Sequence, residues 1–311
     1  MFEIIRLKRD IPFMKYAKAT IIVSSVFFAL AVGALIFRGL NLGVDFTGGT
    51  VMEVTYPNAA DLPKIRETLG GAGYGDAIVQ TFGSSRDVLI RLPVREGVTS
   101  AQLSEQVLAA LKAADATVKL QRVEFVGPQV GAELLYDGSL ALLVVTLGIM
   151  VYLALRFEWR FAVGAIIATA HDIVIILGLF ALFQWEFSLT VLAAVLAILG
   201  YSVNDTVVVF DRIRENFKKM RKATTPEIID HSITQTLART VILSGTTQLM
   251  VLAILFFGGE VLFNFALALT IGIVVGTYSS VLVASPVVMW LGVSRADFVK
   301  PEKKKEVDVV P

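Results

Sequence analysis

The run LTVLAAVLAILGYSVNDTVVVF, residues 189–210, is long and apolar enough to cross a bilayer, yet it carries Asn204 and Asp205 side by side. It leaves into Asp211-Arg212-Ile213-Arg214-Glu215. A hydrocarbon core needs about 20 apolar residues of helix, and a charge placed in it costs roughly 3 kcal/mol or more. Such a residue faces a protein interior or a water path and has a partner. Arg239, which opens the next apolar run, is the expected partner of Asp205. Asp205 lies five residues before Phe210, about 8 Å along a helix, so an ion pair is sterically reasonable.

Working outward, 311 residues with 55% hydrophobic composition and a mean hydropathy of +0.71 are too apolar for a soluble domain. One long stretch nevertheless has ordinary soluble composition, which makes this an integral membrane protein with an extramembrane domain. Six runs are long enough to span: residues 17–37, 139–155, 161–183, 189–210, 240–257 and 262–291. All but nine of the 28 Lys and Arg residues lie in the N-terminal segment, counted through Lys18 at the head of the first run, the 156–160 turn, the 211–239 loop and the tail. By the positive-inside rule, residues 1–16 are expected in the cytoplasm, 38–137 are exported, and 138–291 hold the five remaining spans with a cytoplasmic loop at 211–239. The tail, 292–311, returns to the cytoplasm. The first run is too long for a signal-peptide core and reads as an uncleaved anchor. With no cysteine, the exported domain has no disulfide framework and holds together by packing.

Within that domain, residues 44–56 alternate as a strand, and Asn58 to Pro63 reads as a turn and helix start. The helix runs to about Leu69, where Gly70, Gly71 and Gly73 end it. Strands over 77–82 and 87–92 flank a Gly83-Ser84-Ser85-Arg86 turn, Thr99 to Gln102 forms a capping box for a second helix, and 117–126 is the last strand. The order is βαββαβ, a ferredoxin-like α+β domain. Gly71-Ala72-Gly73-Tyr74-Gly75 follows a helix and precedes a strand, the reverse of a dinucleotide fingerprint, and is read as a loop. There is no Walker lysine motif, no His-Glu-x-x-His motif and no basic stripe with interleaved aromatics. No cofactor or metal is therefore expected, and nucleic acid is not an expected partner.

Other polar residues punctuate the spans. His171 and Asp172 lie near the middle of the third run, where their cost in hydrocarbon favours function, although His171 alone also suits an interhelical hydrogen bond. Ser244, Thr246 and Thr247 follow Arg239 and are candidates to line a hydrated path, against the plainer reading that hydroxyls join packed helices. The same plain reading covers Gly272, Gly276, Ser279 and Ser280. Ile228, Ile229, Ile233 and Leu237 recur at helical spacing and predict an amphipathic helix on the membrane surface.

Four segments carry a resemblance over essentially the whole chain: Gly43 to Gly49; Val126 to Gly131; Gly200 to Glu215; and Thr236 to Thr240 with Ser244 to Thr247. The chain resembles the SecF family of protein-export membrane subunits, within the RND superfamily of proton-driven transporters. That resemblance implies an RND-type half-transporter in the bacterial inner membrane, with 38–137 periplasmic, that pairs with SecD, associates with SecYEG and YajC, and meets unfolded preprotein. It implies protons as the coupling ion, with Asp205 and Arg239 in proton transport; Asn204, His171 and Asp172 join them as relay candidates on their own cost in hydrocarbon. Gly43, Asp45, Gly48, Gly49, Gly127 and Gly131 are then the expected hinges that carry movement to the exported domain. One departure is Leu243, where many relatives carry a hydroxyl residue. Competing readings are an RND exporter of lipids or small molecules, a non-conducting preprotein-binding scaffold, and an intramembrane aspartyl protease using Asp172 and Asp205. The last lacks the Gly-x-Gly expected before a catalytic aspartate, since Ser202-Val203-Asn204 stands there.

Overall fold

The computed structural model describes residues 9–95 and 97–298. The expected cytoplasmic segments at 1–8 and 299–311 lie outside the described residues. A short 3-10 turn, Phe13–Tyr16, leads into helix α1, Ala17–Phe37. Residues Asn41–Leu42 form a short strand, β1, and Val44–Thr47 a single helical turn, α2. The domain proper follows as β2 Gly49–Thr55, α3 Leu62–Gly71, β3 Ile78–Phe82, β4 Ser84–Leu92, α4 Ser100–Ala114 and β5 Lys119–Val126. Its sheet is antiparallel throughout, in the order β3-β4-β2-β5, which is the ferredoxin-like arrangement. Met52, Val54, Val88, Ile90 and Leu92 meet Leu69, Val107 and Leu111 of the two helices in one core.

Two local expectations change. Residues 44–47 are helical rather than extended, because Val44 to Phe46 pack as a turn and Gly48, at φ +69°, ends it before Gly49 opens β2 at φ +136°. Only glycine adopts such angles freely. The hairpin turns at Gly83 alone, with Phe82 opposite Ser84.

Among the described residues, six helices are long and apolar enough to cross a membrane. After α1 come α5 Pro128–Arg156, α6 Trp159–Phe183, strand β6 Glu186–Phe187, α7 Leu189–Lys219, α8 Thr225–Phe257 and α9 Glu260–Ser279. A π-helical turn, Ser280–Ala284, then joins α9 to α10, Ser285–Trp290. Residues 211–239 are therefore not a loop carrying a surface helix. Helices α7 and α8 run on beyond the apolar runs and turn at 220–224. Ile228, Ile229 and Ile233 are buried against the protein, in a cluster with Phe210, Ile213 and Phe217. The apolar stripe is real, but a neighbouring helix takes it instead of lipid.

Glycines set the closest approaches. A Cβ on Gly178 of α6 would lie 2.3 Å from Ala31 Cβ of α1, and one on Gly272 of α9 would lie 2.4 Å from Ile198 of α7. Helices in lipid associate through such small-residue contacts, where backbones gain dispersion by coming close.

Candidate functional site

Asp205 projects from α7 into the bundle and is 8% exposed. Thr240 Oγ1 of α8 donates to its Oδ1 at 2.7 Å, and Ser280 Oγ of the π turn donates to its Oδ2 at 2.6 Å. Asp172 of α6 is 1% exposed and is held in the same manner. Ser202 Oγ of α7 and Ser279 Oγ of α9 donate to its Oδ2 at 2.5 and 2.8 Å, and His171 Nδ1 lies 3.1 Å from its Oδ1. Phe28 of α1 stacks on the His171 ring. Two carboxylates thus share one polar core, each with two hydroxyls, built from α6, α7, α8 and α9.

The local sequence explains the convergence. Ser202 and Asp205 are three apart on α7 and share its inner face. Gly276 lets α9 approach Ser202 closely, since a Cβ there would sit 3.1 Å from Ser202 Cβ. A hydroxyl both donates and accepts, so this shell satisfies either an ionised or a protonated carboxyl.

The expected Asp205–Arg239 ion pair is not formed. Arg239 is exposed, as is Asn204. Successive side chains on a helix diverge by about 100°, so when Thr240 faces Asp205 its neighbour Arg239 points away. The face bearing Asn204 and Arg239 is left open by this chain. Ser244 joins a second chain of hydroxyls, from Tyr201 OH at 3.0 Å and on to Thr277 Oγ1 at 2.8 Å. Thr246 and Thr247 do not take part: their hydroxyls donate to carbonyls of their own helix at Ile242 and Leu243.

At the other end of the spans, the glycine segments form a tight seat. A Cβ on Gly131 of α5 would lie 2.8 Å from Gly48 N and 3.0 Å from Phe46 O, and one on Gly48 would lie 2.7 Å from Pro128 Cα. Gly127 caps α5 with open space around it, and Gly43 N–H donates to Phe187 O at 2.9 Å. Asp45 Oδ2 accepts from Leu189 N–H at 2.8 Å, capping the first turn of the helix that bears Asp205. Strands β1 and β6 pair in parallel beside it. Arg91, on β4 and 5% exposed, makes an ion pair with Glu186 of β6. Burial pushes the Glu186 carboxyl up from its ordinary range, with Arg91 pulling the other way. Gly83 rests on Glu260 at the start of α9, where a Cβ would lie 2.7 Å from Glu260 Cγ. A cavity of about 260 Å³ lies between the sheet and these helix ends, lined by Asp45, Glu53, Arg122, Glu124, Glu186 and Glu260 among others. The domain therefore bears directly on the first turns of α7 and α9.

Thr240, Ser202, Ser279 and Ser280 are the site residues that sequence reasoning missed. The i, i+3 spacing of Ser202 and Asp205 was the available signal. Among the described residues, no group of three or more His, Cys, Asp or Glu side chains is arranged to hold a metal ion.

Family models match two parts of the chain: "Protein export membrane protein SecD/SecF, C-terminal" over residues 106–294, and "SecD/SecF GG Motif" over residues 33–56. The protein translocase subunit SecF of Vibrio alginolyticus is 48% identical over 98% of both chains. That of Pseudomonas aeruginosa is 47% identical over 97% of this chain and 98% of its own. The crystal structure of SecDF from Thermus thermophilus, described as a translocon-associated membrane protein, superposes with a TM-score of 0.83 at 39% identity. It matches 91% of this chain, which spans 39% of that one. SecDF in a super-membrane-facing form gives 0.69 at 38% identity, over 93% of this chain and 40% of that one.

Proposed function

The chain belongs to the SecD/SecF family as a SecF-type translocase subunit, a multi-pass transport component rather than an enzyme, and from that premise we propose that it couples proton movement to late steps of preprotein export. Its partner is SecD: the solved chains named SecDF match nearly all of this one, which spans only 39% and 40% of their length. The open face with Asn204 and Arg239 is where that second half packs, which gives two polar residues at membrane depth a protein environment. SecYEG and YajC are the further partners, and unfolded preprotein meets the exported domain. Both termini lie in the cytoplasm and residues 38–137 in the periplasm.

The observation that carries this reading is Asp205, buried within a span and held by hydroxyls of two other helices. Protonating it turns two charge-assisted hydrogen bonds into neutral ones, a loss of about 1–1.5 kcal/mol each. A membrane potential supplies about 2.3 kcal/mol per charge per 100 mV, so one proton carries enough energy to break and remake this lock. Asp172 and His171 form its second titratable element. Arg239 serves the proton from the open face, in a conformation or assembly other than this one. Movement reaches the exported domain through Gly43 to Gly49, including Asp45 on the α7 N-terminus, and through Gly127 to Gly131.

Replacing Asp205 by Asn keeps size and one acceptor while removing the charge. In inner-membrane vesicles containing the SecD partner, Asp205→Asn is expected to abolish the gradient-dependent part of preprotein translocation and to leave complex assembly intact. Undiminished stimulation by the gradient would sink the assignment, and loss of translocation with unchanged proton flux would favour the non-conducting scaffold.

A further inference from the structure

Ser279 and Ser280 are consecutive, yet their hydroxyls reach carboxylates on different helices, Asp172 of α6 and Asp205 of α7. They stand where α9 passes into the π turn Ser280–Ala284. The sequence gives that turn a cause. Pro286 has no N–H for the carbonyl four residues back at Leu282, and its ring crowds that carbonyl in a regular α-helix. Ser285 Oγ instead donates to Ser280 O at 3.1 Å, five residues back. A π turn inside a long helix is rare and tends to mark a functional position.

Each serine also has a second acceptor within reach. Ser279 Oγ lies 3.2 Å from Gly276 O, and Ser280 Oγ lies 3.1 Å from Thr277 O, both on the preceding turn. One hydroxyl proton thus has two destinations, a carboxylate on a neighbouring helix or a carbonyl of its own.

We propose that Ser279 and Ser280 are positioning residues that read the protonation of Asp172 and Asp205, and that the π turn is the register element they hold. With both carboxylates ionised, both hydroxyls donate outward and fix α9 to α6 and α7 at once. When water delivers a proton to Asp205 Oδ2, the acid O–H donates to Ser280 Oγ, and the Ser280 proton turns to Thr277 O. No proton is lost or gained by the serine, every group keeps a partner, and the tie between α9 and α7 loses its charge. The same exchange at Asp172 passes through Ser279 to Gly276 O. Because both serines belong to one turn, releasing one loosens the register that positions the other. The groups facing the pair are His171 and Asp172 from α6, Ser202 and Asp205 from α7, and Thr240 from α8, while Tyr278, just before them, donates to Thr20 O of α1 and pairs with Ser24. The inference rests on Asp205 as the proton-responsive group.

The test uses the assembled complex in membrane vesicles and the absence of cysteine from this chain. Cysteines at Ser24 and Tyr278, joined by a short bifunctional thiol linker because their 2.8 Å contact runs from the Ser24 hydroxyl to the far end of the tyrosine ring, report the register of α9 against α1. A one-residue shift swings position 278 by about 100° and separates the pair. Normalised to the thiol reactivity of each single cysteine at the same pH, which itself falls in acid, cross-linking is expected to be strong near pH 8, to fall with acidification, and to be low at every pH in Asp205→Asn. Ser280→Ala is expected to move the pH midpoint by about one unit or more, and Ser280→Thr to restore it, with co-purification of the partner confirming assembly. Cross-linking that ignores both pH and Asp205→Asn overturns the proposal, as does a Ser280→Ala midpoint equal to that of the parent. If Asp205→Asn still loses gradient-dependent translocation in that case, the proton-coupled reading stands and only the register element falls.

Discussion

Replacing Arg91 by methionine is expected to loosen the seat of the exported domain on the membrane helices. Arg91 is 5% exposed on β4 and pairs with Glu186, whose own side chain is 23% exposed on the α6–α7 connection. Removing one member of a buried pair leaves the other charge without compensation, at a cost of about 3–5 kcal/mol, while replacing both by apolar groups is close to neutral. Partial exposure of Glu186 puts the single substitution near the lower figure, about 3 kcal/mol. Arg91→Met with Glu186→Leu should recover most of it. The pH dependence has a definite direction. Glu186 is held above its ordinary range chiefly by burial, so the folded state binds its proton more tightly than the unfolded chain does. Its contribution to stability is full below about pH 4.3, the ordinary glutamate value, and is lost as pH rises through the folded value. Arg91 opposes that rise, so in Arg91→Met the folded value climbs further and the loss extends to higher pH. Thermal unfolding of the purified chain in detergent, read at about pH 5 and pH 8, tests this. At 2–4 °C per kcal/mol for chains somewhat shorter than this one, the midpoint at pH 8 should drop by roughly 6–12 °C and recover partly at pH 5. A drop of under about 2 °C at pH 8, or one that acid makes worse, would refute the account.

Gly131→Ala forces a Cβ into backbone atoms of Phe46 and Gly48, which have no flexible side chain to yield. It should cost about 1–3 kcal/mol in stability and reduce gradient-dependent translocation more than partner binding. Thr240→Val removes one of the two donors on Asp205, for a loss of roughly 1.5–3 kcal/mol, and Thr240→Ser should restore both stability and gradient response. Asp45→Ala removes the acceptor of Leu189 N–H at the start of α7, whose N-cap Ser188 stays in place, a loss of about 1 kcal/mol, whereas Asp45→Asn keeps an acceptor and should stay within about 0.5 kcal/mol of the parent in the same thermal assay.

Much of the fold is legible because its causes are local. The apolar runs define six long helices, the Thr99–Gln102 capping box starts α4 as expected, and the alternation of strands with two short helices yields the observed sheet order. Asp205 stands out in the sequence because the cost of a carboxylate in a span is visible in one segment, and it is buried and hydrogen-bonded in the fold. Its partners do not stand out, because they depend on how α8 and α9 rotate against α7. Arg239 and Thr240 are neighbours in sequence and diverge on the helix, and charge made the wrong one attractive. Ser279 and Ser280 read as packing residues, and only the way the end of α9 sits against α6 and α7 aims them at two carboxylates. The surface helix at 225–239 failed for a related reason: an apolar stripe specifies burial, and α7 extends far enough to supply the protein that buries it.

The identity of those partners bears on what the site can do. An arginine has five donors and no acceptor, so a carboxyl held against it has a satisfied state only when ionised. Thr240, Ser280, Ser202 and Ser279 each carry a proton that rotates, and each can accept from a carboxylic acid as readily as it donates to a carboxylate. Both protonation states then keep their hydrogen bonds in a region where an unpaired polar group costs several kcal/mol. What separates the states is bond strength, about 2–3 kcal/mol over two bonds, and that matches what roughly 100 mV delivers per charge. A hydroxyl shell thus keeps its hydrogen bonds in either state, which is what the proposed proton coupling requires of it.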